Sequence, residues 1–327
     1  MPLVLIGLKR GQETEKYGFR INLSMHTHLA VLISLPFLVC ALACIMLMTV
    51  ANAADDPFAS ETLRAGFYAK SFPDFSVEDV EVSVKLLSEE IGKEAGVKTF
   101  VNVYEDIQSM RQDFENGIIN FVVASSILMV SQFDKNLLSD GFRFIRSAES
   151  LDRLLVLGQN KPNKDGFDSY RGQRLVLAQS DPTCELYLDL LSLSDFKQSY
   201  SNSFKLIKRE KKAHQLILML FFNQADVTCV YQNAYDIAIE MNPQLKQKIT
   251  VLSEIKNVPE GMGLFHTNTP AAFRESVIAE VLKLQNKPRG RQLLELFKGE
   301  QAIRAAVKDL TAAMELHAAH QRLLGRQ

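Results

Sequence analysis

Apolar positions recur along this chain with two periods, and the two alternate. Leu63-Arg64-Ala65-Gly66-Phe67-Tyr68 reads as a strand and Ser71-Phe72-Pro73-Asp74-Phe75 as a loop. Ser76 stands where a helix would open, with Asp79 three residues on as a variant of the capping box. Val77, Val80, Val84, Leu87 and Ile91 then recur at three and four on one face, and Gly92 and Gly96 are expected to stop the helix. Thr99 to Tyr104 alternates as a strand, and Ile107, Met110 and Phe114 mark a second helix closed by Asn116-Gly117. Ile118 to Val123 is an apolar run broken only by Asn120, the pattern of a strand covered on both faces. A β-α-β-α-β order predicts a mostly parallel sheet with helices around it.

The pattern then restarts. Leu154 to Leu157 reads as a strand, Lys161 to Gly166 as a polar loop and Arg174 to Ala178 as another strand. Asp181 as N-cap with Pro182 at the first helical position predicts a helix carrying Leu186, Leu190 and Leu193. Phe204 to Ile207 follows as a strand, Ala213 to Phe222 as an apolar helix and Val227 to Tyr231 as a strand. Asn223-Gln224-Ala225-Asp226 before this last strand echoes Asn116 to Asn120 before the earlier one, as two lobes sharing one helix–turn–strand unit would. Ile249 to Leu252 and Gly261 to Phe265 come next as strands, then helical patterns at Pro270–Leu284, Gly290–Lys298 and Glu300–Leu324. The chain is expected to cross between lobes near Gly158 and to return near Ser253-Glu254. Residues 54–157 plus 254–327 then form a discontinuous first lobe, 158–253 a continuous second, and the C-terminal helices pack on the first.

Residues 1–53 read as a leader and signal peptide. Leu29 to Val50 carries no charge and is followed by Ala51-Asn52-Ala53, a small-residue cleavage site, with Lys9, Arg10, Lys16 and Arg20 before it. Cleavage after Ala53 into the periplasm is the expectation. A run of 22 residues is also long enough to span a bilayer, so an uncleaved inner-membrane anchor is the alternative. Met25 would make a more ordinary signal start than Met1. Lys+Arg 37 against Asp+Glu 38 leaves no basic excess for a nucleic acid to recognise. Losing four basic and two acidic residues with the leader leaves 33 against 36, a net charge of −3. Cys184 and Cys229 remain, either a disulfide in an oxidising compartment or two buried thiols.

Enzyme signatures such as GxSxG, the P-loop, GxGxxG and HExxH are absent. No catalytic residue, cofactor or metal is assigned. His317 and His320, one turn apart, read as a solvated face of the last helix, and Lys208-Arg209-Glu210-Lys211-Lys212 as a solvated turn. In open α/β sheets ligands bind beyond the carboxyl ends of the strands. That singles out Tyr68 to Ser71, Ser125-Ser126, Ser180 to Thr183 and Tyr231 to Asn233, places that offer hydroxyls, amides and aromatic faces.

On these stretches the chain resembles the type II periplasmic solute-binding proteins, in the phosphate/phosphite/phosphonate-binding class of ABC transporter receptors. The resemblance covers about residues 61–325. It rests on Phe67 to Ser76, NFVVASS at 120–126, LAQSDPTCELYL at 177–188, ADVTCVYQNAYD at 225–236 and VLSEIKNVPEGMGLF at 251–265. It implies an α/β fold of two Rossmann-like lobes joined by a two-strand hinge that closes on a small-molecule ligand. It further implies a monomer that hands a small polar, phosphonate- or phosphate-like solute to an ABC permease. The ligand-binding positions it implies are Tyr68, Ser71, Ser125, Ser126, Ser180, Thr183, Tyr231 and Gln232. The alternative on the same fold is a membrane-tethered envelope sensor or partner-binding module. One departure stands out: Asp181-Pro182-Thr183-Cys184-Glu185 replaces the Ser/Thr/Gly-rich stretch at the second-lobe helix start, and its two carboxylates would repel a dianion.

Overall fold

Two buried polar side chains, Asn120 and Asp226, set the strand registers of this molecule. The computed structural model describes residues 61–72, 75–146, 152–162 and 166–325. The leader, the apolar run at 29–50 and the cleavage site lie outside them. Among the described residues no helix is long and apolar enough to cross a membrane.

The first sheet contains β1 (Thr62–Tyr68), β2 (Lys98–Tyr104), β3 (Phe121–Ser125), β4 (Leu138–Ile145), β10 (Gly261–His266) and β11 (Gln301–Ala305), in the order β11-β4-β10-β3-β1-β2. The second contains β5 (Leu154–Gln159), β6 (Arg174–Ala178), β7 (Leu206–Glu210), β8 (Val227–Tyr231) and β9 (Ile249–Ile255), in the order β7-β6-β8-β5-β9. Around the first lie α1 (Val77–Ala95), α2 (Ile107–Glu115) and α3 (Ser126–Gln132); around the second, α4 (Pro182–Phe196), α5 (Ala213–Phe221) and α6 (Gln232–Met241). Helices α7 (Ala271–Val281), α8 (Pro288–Leu296) and α9 (Thr311–Leu323) complete the chain.

Asn120 accepts from the Arg64 N–H at 2.9 Å and donates to the Thr62 carbonyl at 2.8 Å. Asp226 accepts from the Arg174 N–H at 2.9 Å, and both residues are essentially fully buried. The next residues pair in register, Ala65 with Phe121 and Leu175 with Val227. Each arginine closes the turn three residues before its polar partner: Arg64 donates to the Gly117 carbonyl, and Arg174 to the carbonyl and side chain of Asn223. Gly117 (φ 71°) and Asn223 (φ 58°) both adopt the left-handed conformation there. The repeated unit in the sequence is thus a repeated staple, made once with an amide and once with a carboxylate. Lys161 also pairs with Asp226. Burial pushes the Asp226 carboxyl up, but the bonds from Arg174 and Lys161 outweigh that and hold it well below the usual carboxylate range.

Other sequence expectations need correcting. The sheets are mixed: β1, β2 and β3 run parallel, as do β6, β7 and β8, but β10, β11, β5 and β9 add antiparallel partners. The chain changes sheet between Ile145 and Leu154 and returns between Ile255 and Gly261, because β5 and β9 pair with each other inside the second sheet. Neither Gly158 nor Ser253-Glu254 is a crossing point. Gly96 (φ 69°) ends α1, whereas Gly92 lies inside it because a Cβ there would meet Thr99 at 2.7 Å. On α4 the buried face is Cys184, Leu188 and Phe196, and Leu186, Leu190 and Leu193 flank it half-buried. Lys208 to Glu210 form the outer half of edge strand β7, where charged side chains protect an open edge, and Arg209 bonds Glu185 at 2.6 Å. Residues 300–324 are not one helix. β11 forms first, because alternation in Gln301-Ala302-Ile303-Arg304-Ala305 lets it complete the edge of β4.

The C-terminal helix belongs to both sheets. Leu316 of α9 is buried in the second sheet's core, while Met314 packs on the core of the first. His320 lies against α4 rather than in solvent, its Nε2 at 2.7 Å from Asp189 Oδ2. Burial pushes the Asp189 carboxyl up, but His320, the Ser199 hydroxyl and the Tyr200 N–H together hold it below the ordinary value.

Asp226→Ala should cost about 3–5 kcal/mol in urea denaturation, because it strands two buried-end cations. Asp226→Asn should cost about 1–2 kcal/mol, since Asn120 does the same work without charge. Because this carboxyl titrates lower folded than unfolded, its contribution is complete above about pH 4 and drains away below that. Acid should therefore destabilise the parent chain more steeply than Asp226→Asn. Equal losses for the alanine and asparagine variants would refute the staple. His320→Ala should speed amide exchange across 311–323 while leaving β1, β3, β6 and β8 protected, as read by mass spectrometry.

Candidate ligand-binding cleft

The carboxyl ends of β1 and β3 in one sheet, and of β6 and β8 in the other, bound a cavity of about 580 Å³. Arg143 on β4 grips Asp152 bidentately, and the Asp152 carbonyl accepts from the Val258 N–H at 3.0 Å, tying the outgoing and returning crossings together. Arg153 and Glu254 pair beside them.

The wall contributed by the first sheet is aromatic. Phe67 and Phe72 lie 6.4 Å apart, Phe72 and Phe297 6.0 Å, Phe297 and Phe144 5.9 Å, and Phe144 and Phe142 6.0 Å, one continuous line of rings. Phe142 stacks in turn on Phe121 at 4.7 Å. Gly263 makes room for that stack, since a Cβ there would meet the Phe121 ring at 2.2 Å. The facing wall combines Ala178, Ala213, Ile237 and Met241 with Asp181, Tyr231 and Asn233.

Of the eight expected binding residues, Ser71 and Tyr231 line the cavity. Ser71 Oγ accepts from the Ser125 N–H at 3.1 Å, and the Tyr231 hydroxyl donates to the Pro259 carbonyl at 3.3 Å. Burial pushes the Tyr231 phenol well up. Ser125 caps α3 and Ser126 opens it; both hydroxyls are buried and have no hydrogen-bond partner among the described residues, whereas Thr183, buried in the first turn of α4, lies beside the Tyr231 phenol. The Ser180 hydroxyl donates to the Lys70 carbonyl at 3.0 Å, a bond between the two halves. Tyr68 sits in the core with Met110, Phe114 and Ile119, and Gln232 bonds Asp236 on its own helix. Neither lines the cavity. Cys184 and Cys229 are free thiols, buried and in contact, rather than the bridge that their pairing allowed. Burial pushes both thiols up. Among the described residues no cluster of His, Cys, Asp and Glu could hold a metal ion.

The aromatic wall was not anticipated. Its signals were the two phenylalanines of Ser71-Phe72-Pro73-Asp74-Phe75 and the alternation Phe142-Arg143-Phe144-Ile145-Arg146, which is β4.

The cations on the lining have partners: Arg143 with Asp152, Arg146 with Glu300 at 3.6 Å, and Lys298 over the Phe75 ring at 5.9 Å. Asp181 caps α4, accepting from the Cys184 N–H at 2.9 Å. Enclosure pushes its carboxyl up against the lowering effect of that bond, and the Glu185 charge adds to the rise.

This architecture has relatives of known structure. PhnD1 of Prochlorococcus marinus in complex with methylphosphonate superposes with a TM-score of 0.55 at 13% identity, over 83% of this chain and all of that one. XAC2383 of Xanthomonas citri, bound to ATP, gives 0.54 at 14% identity over 82% and 99%. The binding protein component of an ABC phosphonate transporter from Pseudomonas aeruginosa gives 0.53 at 11% over 80% and 87%. At these identities the likeness establishes the two-lobe fold. No curated protein sequence matches the chain. Residues 71–310, however, match the family described as ABC transporter, phosphonate, periplasmic substrate-binding protein, and the chain belongs to that family.

Proposed function

We propose that this chain is the exported receptor of an ABC-type transporter, holding a small organic solute between its lobes and presenting it to a membrane permease. The observation that carries this reading is the cleft itself. It lies at the carboxyl ends of parallel strands from two sheets and is lined from both. A ligand touching both walls stabilises the closed arrangement, so binding and closure are one equilibrium. The Ser180–Lys70 bond marks where the rims meet. Ser71, Ser125, Ser126, Ser180, Thr183 and Tyr231 are the polar groups this reading assigns to the ligand.

A receptor exchanges rigid lobes about a short hinge, and the crossings between Ile145 and Leu154 and between Ile255 and Gly261 would serve as that hinge. Methylphosphonate, the ligand of the Prochlorococcus marinus relative, is the first compound to offer the cleft. Delivery to the periplasm follows from the charge-free run at 29–50 and the Ala51-Asn52-Ala53 site.

Ser125→Ala and Thr183→Ala should each fold normally, Ser125→Ala within about 0.5 kcal/mol of the parent because its hydroxyl has no partner to lose among the described residues. Each should weaken the captured solute by roughly three- to ten-fold in calorimetry. Unaltered affinity in both variants removes these hydroxyls from the site. N-terminal sequencing of the exported protein should begin at Ala54; an intact N-terminus in the membrane fraction would favour a tethered sensor instead.

A further inference from the structure

The feature that sets this cleft apart is what stands at the start of α4. An oxyanion site there would need the free N–H groups of the first turn. Asp181 already accepts from the Cys184 N–H, and among the described residues it has no cationic partner. Its charge opposes any anion that approaches. The cations elsewhere on the lining are engaged, Arg143 by Asp152 and Arg146 by Glu300. Glu260 adds a second carboxylate to the wall.

Size and polarity point the same way. A cavity of about 580 Å³ falls in the range of roughly 300–1,000 Å³ that houses drug-sized molecules. A methylphosphonate-sized ion would leave most of it to water. The line of Phe72, Phe297, Phe144 and Phe142 faces Ile237 and Met241, so a guest spanning the gap meets apolar surface on both sides. Aromatic faces attract cations as well as apolar groups.

Resting on the receptor reading above, we infer that the preferred guest is an amphipathic amine, its aromatic or branched apolar body against the phenylalanine wall and its ammonium against Asp181. The enclosed carboxylate, now held up by its surroundings, gains the partner it lacks when the ammonium arrives. The apolar body supplies the contact across the gap that closure requires.

The test uses the whole exported chain, titrated in a calorimeter with 2-phenylethylamine, ethylamine, phenylphosphonate and methylphosphonate, with closure followed by X-ray scattering. 2-Phenylethylamine should bind most tightly and shrink the particle. Asp181→Asn keeps a good helix cap while removing the charge, so it should fold normally and weaken the amine by about ten-fold or more. Asp181→Ser should do the same and gain affinity for the phosphonates. Phe144→Ala should weaken 2-phenylethylamine but not ethylamine. Tighter binding of either phosphonate to the parent chain, with closure, overturns the amine assignment and leaves the receptor standing. An amine affinity indifferent to Asp181→Asn also overturns it. If no compound of either charge, nor any solute from a metabolite extract, shrinks the particle, the receptor reading falls with it.

Discussion

One buried polar side chain per sheet, hydrogen-bonded to a neighbouring strand's backbone, fixes the register of β3 on β1 and of β8 on β6. Asn120 and Asp226 bind the N–H groups of Arg64 and Arg174, and the next residue of each strand pairs in register. A strand slipped by one residue would turn its core face outward and leave an amide or carboxylate buried without partners. Counting five residues on from each staple reaches Ser125 and Tyr231, the residues that cap α3 and α6 at the cleft.

The two halves use this frame differently. The first contributes rings, because β4 alternates Phe142 and Phe144 with Arg143, and Phe72 and Phe297 fill the gaps beside them. The second contributes the charge of Asp181 and the phenol of Tyr231. The lining thus joins rings from one half to a carboxylate and a phenol from the other, groups at strand ends being where function resides rather than in the scaffold. The arginine at the back of the cavity illustrates the point. Arg143 would draw an anion if free, but it holds the outgoing crossing through Asp152.

That crossing and α9 both join the two halves. Asp152, bonded to Val258, ties the outgoing and returning stretches together. α9 lies across both, with Met314 on one core, Leu316 in the other and His320 on Asp189. α9 thus ties the two cores to each other.

Much of this was legible in the chain. Ser76 and Asp181 announce α1 and α4 because capping is local chemistry, written within four residues. The Asn/Gly turn before each apolar run announces the repeated unit for the same reason. β4 and β11 were not read, since an alternating Phe/Arg stretch and an alanine-rich one become strands only when a sheet edge offers them hydrogen bonds. Nor could spacing tell Tyr68, which is core, from Tyr231, which meets the cavity. Local hydrogen-bonding and periodicity fixed the elements and the doubly built α/β plan. Which polar groups face one another across the gap, and which cations are already taken, depended on residues more than a hundred positions apart. Only packing brings those together.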